Sequence, residues 1–379
     1  MNKKEVIVHL ETITPLWTGD AWQENSNVRP SSLMGSLRFW FEVICYFTGI
    51  VSEKEFDAKK GRFEKEVKQD EFKEKLKNIK NNGIDFKSQI KTLGKMDIPV
   101  PSIIFGTTGW KSLIEIKEIK SLEDSCFRNI LNLPDRICVS KQNREIKEDN
   151  GCPKSSNDAW SVFYLAQPYF YGKLEIKFLV EEEIIDSIFY PLLNFMDKYG
   201  YWGGKWNIGY GRLRVIEVNQ NNNSEDWRIE KFNFSSFRNE TDKEFGLEKY
   251  LLQVNNFDEL IQEQKVDKKI KIWYLIPCNQ DDNSQNSVKD LKEVIKKLIK
   301  IKIKERSKDK NNGGDPEKRH KIFGTIEGPP YGDLLPQGSK ILPYIAKEMA
   351  EGEEVYCGGF LSIVDMLKLY EGGEQNEKI

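Results

Sequence analysis

"NVRPSSLMGSLRFWFE", residues 27–42, decides how the rest of the chain is read. Proline fixes φ at a value suited to a helix's first turn, so Pro30 marks a start, and Ser31 or Ser32 can accept a hydrogen bond from the first free backbone N–H groups. Leu33, Leu37, Trp40, Phe41 and Ile44 then recur at three- and four-residue steps, the stripe of a helix with one face in a core. The spacing predicts a helix from about Ser32 to Phe47 that stops near Gly49. Some residues do not fit a plain core helix. Gly35 costs stability in a helix interior unless something must approach closely there. Arg29 stands beside a first turn whose unsatisfied N–H groups and positive dipole end suit an anion, phosphate above all. Arg38, four residues before Glu42, reads either as an i,i+4 ion pair on a solvated face or as a second phosphate contact.

Outward from this helix the elements alternate. "EVIVHLETIT" (Glu5 to Thr14) precedes it as a strand, followed by the turn-rich "PLWTGDAWQENSNV" with Trp17 and Trp22. Residues 53–92 are charged and helical in pattern, a solvent-facing insertion with a narrow stripe of Phe63, Val67, Phe72, Leu76 and Ile79. "IPVPSIIFGTTGW" breaks it, and "SLIEIKEIK" (Ser112 to Lys120) alternates as a strand. Residues 141–159 read as loop or disorder. "GKLEIKFLV" (Gly172 to Val180) is a strand with Leu174, Ile176, Phe178 and Val180 on one face. "EEEIIDSIFYPLLNFMDKYG" is a helix with an acidic first turn, and "GYWGGKWNIGYG" (Gly200 to Gly211) leads into the strand "RLRVIEV".

Strand, helix, insertion, strand, strand, helix, strand is the βαββαβ order of a ferredoxin-like domain, an architecture shared with RNA-recognition modules. "NQNNNSEDW" is a polar boundary. Beyond it "KIKIWYLIPC" reads as a first strand, and residues 287–310 as a long helix with ten Lys/Arg against four Asp/Glu. "RHKIFGTIEG" (Arg319 to Gly328) then echoes the Ile-Phe-Gly-Thr of "IIFGTTG" (Ile103 to Gly109). The chain is therefore α+β, with two ferredoxin-like (RRM-like) domains in tandem and helical insertions. Residues 1–218 are the first, with the insertion at about 51–160; 219–245 are a linker; 246–379 are a second, degenerate copy.

The totals narrow the chemistry. The 379 residues allow two sizeable cores, and 39% hydrophobic residues exclude a disordered chain. With 58 Lys/Arg against 60 Asp/Glu the net charge is −2, so the chain does not coat nucleic acid through bulk charge, although a local basic groove is compatible with it. Six scattered cysteines and two histidines give no zinc-ligand spacing. A reduced, cytoplasmic protein without metal or cofactor follows, and no apolar run is long enough for a secretory signal or a membrane span.

Three segments carry candidate chemistry besides the opening helix. In the glycine-rich loop, Trp202, Trp206 and Tyr210 could stack on bases and Lys205, Arg212 and Arg214 could meet phosphates; a tight helix-to-strand connection with aromatics beneath it accounts for the same residues. His320 could act as a general acid in RNA cleavage or be a surface histidine in a basic loop. The basic helix could border RNA or be a solvated face. His9 reads as a strand residue. No nucleophile elbow or spaced pair of carboxylates is present.

"TPLWTGD", "VRPSSLMGSLRFWFE", "IIFGTTG" and "GGKWNIGYGRLRV" together resemble the RAMP superfamily of CRISPR effector subunits, and within it subunit one of the type III-B (Cmr) complex. The positions carrying the resemblance are Thr14, Pro15, Leu16 and Gly19, then Arg29, Pro30, Ser31, Ser32, Gly35, Leu37, Arg38, Phe39 and Trp40. The resemblance implies a non-catalytic, RNA-binding subunit at one end of a ribonucleoprotein. Such a subunit holds the 3′ region of the crRNA, helps capture single-stranded target RNA, and contacts the backbone and head subunits of the complex. It shifts the reading of Arg29, Ser31, Ser32, Gly35 and Arg38 toward an RNA-backbone surface, with Trp17, Trp22, Lys205, Trp206, Asn207, Arg212, Arg319 and His320 as further RNA-binding candidates. The glycine-rich loop is shorter than the family's and lacks its central arginines. The runner-up is a metal-independent RAMP-type endoribonuclease that processes repeat RNA.

Overall fold

The computed structural model describes residues 2–19, 24–77, 85–124, 126–165, 167–220, 223–237, 244–264, 267–276, 290–311, 315–324, 338–350 and 352–371. The first half of the chain contains β1 (Lys3–Thr12), α1 (Pro30–Phe47), α2 (Gln69–Lys77), α3 (Phe86–Lys95), α4 (Val100–Phe105), β2 (Ile114–Ser121), β3 (Arg136–Ser140), β4 (Ile146–Glu148), β5 (Trp160–Tyr164), β6 (Lys173–Glu181), α5 (Tyr190–Lys198) and β7 (Leu213–Gln220). Then come β8 (Asn223–Ser224), β9 (Lys231–Phe232), β10 (Phe245–Gly246), β11 (Leu251–Gln253), α6 (Phe257–Ile261), β12 (Ile270–Ile276), α7 (Leu291–Asn311), α8 (Pro316–Phe323), β13 (Ile341–Ala350), β14 (Glu353–Ser362) and α9 (Lys368–Glu371). The architecture is mixed α+β, with helices packed on antiparallel sheets.

The first sheet has the order β2-β6-β1-β7-β8, with every neighbouring pair antiparallel. Alternation decides its faces: Val6, Val8 and Leu10 of β1 and Leu174, Ile176, Phe178 and Val180 of β6 are fully buried on the face that meets α1 and α5. The opposite face is a ladder of ion pairs. Lys117 meets Glu5 at 3.0 Å, Lys177 meets Glu118 at 3.2 Å, and Arg214 meets Glu11 at 2.8 Å. His9 lies 3.2 Å from Glu175 and 3.6 Å from Glu217. This face neutralises itself and, among the described residues, offers no aromatic platform.

The second sheet has the order β11-β12-β14-β13, antiparallel except for the β11–β12 pair. A local geometry recurs between the two halves. Phe105-Gly106 ends α4 and Phe323-Gly324 ends α8, with the glycines at φ 83, ψ 159 and φ 78, ψ 164. After each, a serine hydroxyl lies 3.2 Å from the Ile114 or Ile341 amide nitrogen, Ser112 before β2 and Ser339 before β13. The following N–H groups match too: Leu113 donates to Ile104 at 2.9 Å, and Lys340 to Ile322 at 2.8 Å.

The fold departs from the sequence reading in several places. The insertion does not face solvent along its stripe: Phe63, Val67 and Phe72 are buried in the main core with Phe86, Ile90 and Leu93. Pro99-Val100-Pro101 opens a short helix, α4, rather than simply breaking the chain, because proline suits a first turn. Residues 141–159 are not a loop throughout. β4 pairs with β3 in a small sheet of order β4-β3-β5, which packs on α7 through Glu148 to Lys296 (2.9 Å) and Lys292 (3.2 Å). That hairpin brings Cys138 and Cys152 together as a disulfide, Cα atoms 5.6 Å apart, and Cys357 is disulfide-bonded as well. The inference of fully reduced cysteines is corrected: a separation of 14 residues carries no C-x-x-C signal, yet the strand turn closes it. The polar stretch after β7 also packs, with Phe232 and Phe234 buried against Phe41 and Phe237 buried in the same core.

Among the described residues no helix is long and apolar enough to cross a membrane.

Candidate nucleic-acid interface

The opening helix starts at Pro30, with Arg29 at its N-cap position, so Ser31 and Ser32 lie inside the first turn and cap nothing. Among the described residues no side chain caps this turn. The chain entering it is fixed instead by Thr18. The Thr18 hydroxyl accepts from the Arg29 N–H (3.1 Å) and lies 3.1 Å from the Asn27 carbonyl. The Thr18 N–H donates to Asn25 Oδ1 at 3.0 Å, and Asn25 Nδ2 donates to the Pro168 carbonyl at 3.0 Å.

The glycine-rich loop docks on the same turn. The Ser36 hydroxyl donates to the Ser32 carbonyl and accepts from the Gly203 N–H, both at 2.9 Å. The Gly204 N–H donates to the Trp17 carbonyl at 2.8 Å. Gly203 adopts φ +70, and a Cβ there would fall 2.4 Å from the Trp17 carbonyl oxygen, so backbone approach and left-handed geometry both require glycine.

These contacts leave an open cleft of about 250 Å³. Trp17, Thr18 and Gly19 form one side, Ser32, Gly35 and Ser36 the floor, and Gly203, Gly204 and Trp206 the other side. Among these residues there is no carboxylate. Trp206 is held by Phe39 (5.2 Å between ring centroids), Trp40 and Tyr201, and its indole N–H donates to the Trp202 carbonyl at 3.3 Å. Lys205, itself at φ 62, carries its ammonium 4.9 Å from the Trp17 ring centroid. Partial burial draws that ammonium below the usual lysine range. Asn207 is exposed beyond it.

The candidates thus divide. Trp17, Ser32, Gly35 and Trp206 line the cleft, and Lys205 stands over one of its walls. Thr18, Ser36, Gly203 and Gly204 complete it without having stood out as candidates in the sequence. Their signal lies in the spacing of Ser36 four residues after Ser32 and in the paired glycines. Trp22 lies outside the described residues.

Arg38 is turned inward. It donates to Glu42 (2.9 Å) and to the carbonyls of Gly106 (3.0 Å) and Phe63 (3.4 Å), and lies 3.4 Å from Glu64. Glu42 is so deeply buried that its carboxyl is raised to about 7, even with Arg38 opposing the shift. An arginine held by its own chain's carboxylates and carbonyls is a packing element, so the ion-pair reading holds and the pair is buried rather than solvated.

Arg212 is likewise structural, 1% exposed. It donates to the carbonyls of Lys198 (2.8 Å), Asp197 (3.1 Å), Met196 (3.4 Å), Gly200 and Ile345 (3.2 Å). It closes the C-terminal end of α5 and ties it to β13, between the rings of Tyr201 and Tyr344. Neither arginine is left available to a phosphate.

Arg319 and His320 lie on α8, in the other half of the chain from the cleft residues. Burial, then the positive charges of Arg306 and Arg319, lower the pKa of His320. The charged neighbours acting on it are thus cationic, not a base partner. Among the described residues no cluster of His, Cys, Asp and Glu could hold a metal.

No curated protein matches the chain. Among solved structures it is similar to apo Cmr1 from Pyrococcus furiosus, with 13% identity over 97% of this chain and 96% of that one and a TM-score of 0.36. The family model of the RAMP superfamily matches residues 9–214, more than half of the chain, from β1 through α1 and the cleft to the start of β7; the chain belongs to the RAMP superfamily.

Proposed function

We propose that this chain is a non-catalytic, RNA-binding subunit of a type III-B CRISPR (Cmr) effector ribonucleoprotein, corresponding to its subunit one. There it holds the 3′ region of the crRNA, helps capture single-stranded target RNA, and contacts the other Cmr subunits. In this reading residues 1–218 and 246–379 are two ferredoxin-like domains, the second degenerate, joined by 219–245. The recurrence of the Ile-Phe-Gly helix end and its serine supports a duplicated unit.

One observation carries the RNA reading. Three segments, the loop at Trp17, the first turns of α1 and, far along the sequence from both, the glycine-rich loop, meet around a single cleft. Those same segments carry the family motifs. The rim of that cleft is where a backbone would run, past Lys205, Asn207 and the turn that begins at Arg29. Uncapped amide protons at a helix start favour anions there. Arg38 and Arg212 are not part of the proposed surface.

The test is binding of a single-stranded oligoribonucleotide across a salt series. Lys205→Ala with Arg29→Ala is expected to weaken binding about tenfold and to flatten the salt dependence by roughly 0.7 for each phosphate that is no longer neutralised. Unchanged affinity and unchanged slope would remove the rim from the function. Cleavage of repeat RNA in EDTA, abolished in His320→Ala, would replace the non-catalytic reading by the endoribonuclease.

A further inference from the structure

We infer that the cleft beneath the rim takes one unpaired nucleobase, stacked against tryptophan, while the phosphates stay outside it. This rests on the RNA-binding reading above and assigns the cleft its ligand.

The floor comes first. Gly35 lies inside an 18-residue helix, where glycine costs up to about 1 kcal/mol relative to alanine. Packing does not ask for it, because a Cβ there would meet no atom within 4 Å. The missing side chain leaves a flat opening in the helix surface, next to two indoles already held in place. Trp206 is fixed by three aromatic neighbours and its N–H bond, and Trp17 by the close backbone of Gly19 and Gly204. Rings that do not have to be ordered on binding lose little entropy.

The chemistry of the walls then selects the occupant. The Thr18 hydroxyl is engaged by Arg29 and Asn27, and the Ser36 hydroxyl by Ser32 and Gly203. Among the described residues no cation lines the interior, Lys205 standing over the Trp17 ring outside it, so a phosphate entering would exchange its water for little more than the Ser32 hydroxyl, at large cost. A neutral base has a π-face for the indoles, and such stacking is worth about 1–3 kcal/mol per base. The Ser32 hydroxyl, only 3.5 Å from the Thr18 carbonyl in a long contact, is the polar group with most freedom to meet a base edge. At about 250 Å³ the open cleft is smaller than the roughly 300–1,000 Å³ of sites for drug-sized ligands and has room for a single base.

The experiment compares two fluorescent oligomers on the full chain: eight uridines, and eight abasic ribose-phosphates of the same charge. The expected result is uridine RNA bound roughly tenfold more tightly at every salt concentration, with the same salt slope for both. Gly35→Leu, which fills the floor, should bring that ratio close to one. Crosslinking with 4-thiouridine RNA on the unaltered protein gives an independent reading, with adducts expected on the peptides of Trp17 or Trp206. Equal affinity for both oligomers, or adducts only elsewhere, overturns the base site and leaves RNA binding standing. Failure to bind either oligomer overturns both readings together.

Discussion

Within one glycine-rich segment, Lys205 and Arg212 have opposite fates. Lys205 sits at positive φ and carries its charge to the edge of a cleft, whereas Arg212 sends every N–H to a backbone carbonyl. Removing Arg212 would strand those carbonyls and open a cavity between two tyrosines. Arg212→Ala is therefore expected to cost about 3–5 kcal/mol of unfolding free energy in urea titrations, and Arg212→Lys to recover only part of it, because an ammonium has fewer donors and no fork. In sequence both residues are cations beside glycines. What separates them is which carbonyls lie within reach, a fact of the folded chain. Arg38 is legible to the extent that Glu42 stands four residues away, but Gly106 and Phe63 join that network from far along the sequence.

Elements repeat where single residues do not. Each Ile-Phe-Gly turns its helix end through a left-handed glycine, and each following serine pins the first amide of the next strand. Ser112→Ala should accordingly destabilise by about 1 kcal/mol, and Ser339→Ala by more, because the Ser339 hydroxyl also accepts from the buried Lys302 amine at 3.0 Å. The double variant should show their sum, since the two hydroxyls share no partner; chemical denaturation of the three variants tests this. The four-letter echo in the sequence points to this repeat, and alternation exposes β1 and β6 because one face of each is wholly buried. The sheet of β3, β4 and β5 is hidden in the sequence: its strands are short, and polar residues between them mask the pairing. Sequence places the start of α1 two residues late because serine caps are the common case, whereas here the entry is tied by Thr18 from outside the helix.

For the molecule as a whole, buried amines give stability a characteristic response to pH. Lys302, 5% exposed, donates to the Ser339 hydroxyl (3.0 Å) and the Ile341 carbonyl (3.1 Å), and burial pushes its amine down to about 7. An unfolded lysine titrates near 10.4, so between about pH 7 and 10 the unfolded chain binds more protons than the native one, and this contribution to stability rises with pH. The gain approaches 1.4 kcal/mol per pH unit in that window. Comparing urea midpoints at pH 7 and 9 should show a rise in the wild type that is smaller in Lys302→Met. Nothing in the run of lysines along α7 distinguishes Lys302 from its solvated neighbours, because its helical face is decided by the sheet it meets. The glycine-rich loop ties these scales together. Its inner side walls the cleft, while its outer side lies against β13, where a Cβ on Gly209 would meet Ile345 at 3.1 Å and Tyr201 donates to the Pro343 carbonyl at 2.9 Å. The two halves therefore own this partition jointly, and a severed N-terminal half would keep the family's signature residues yet lose the backing that gives them their shape.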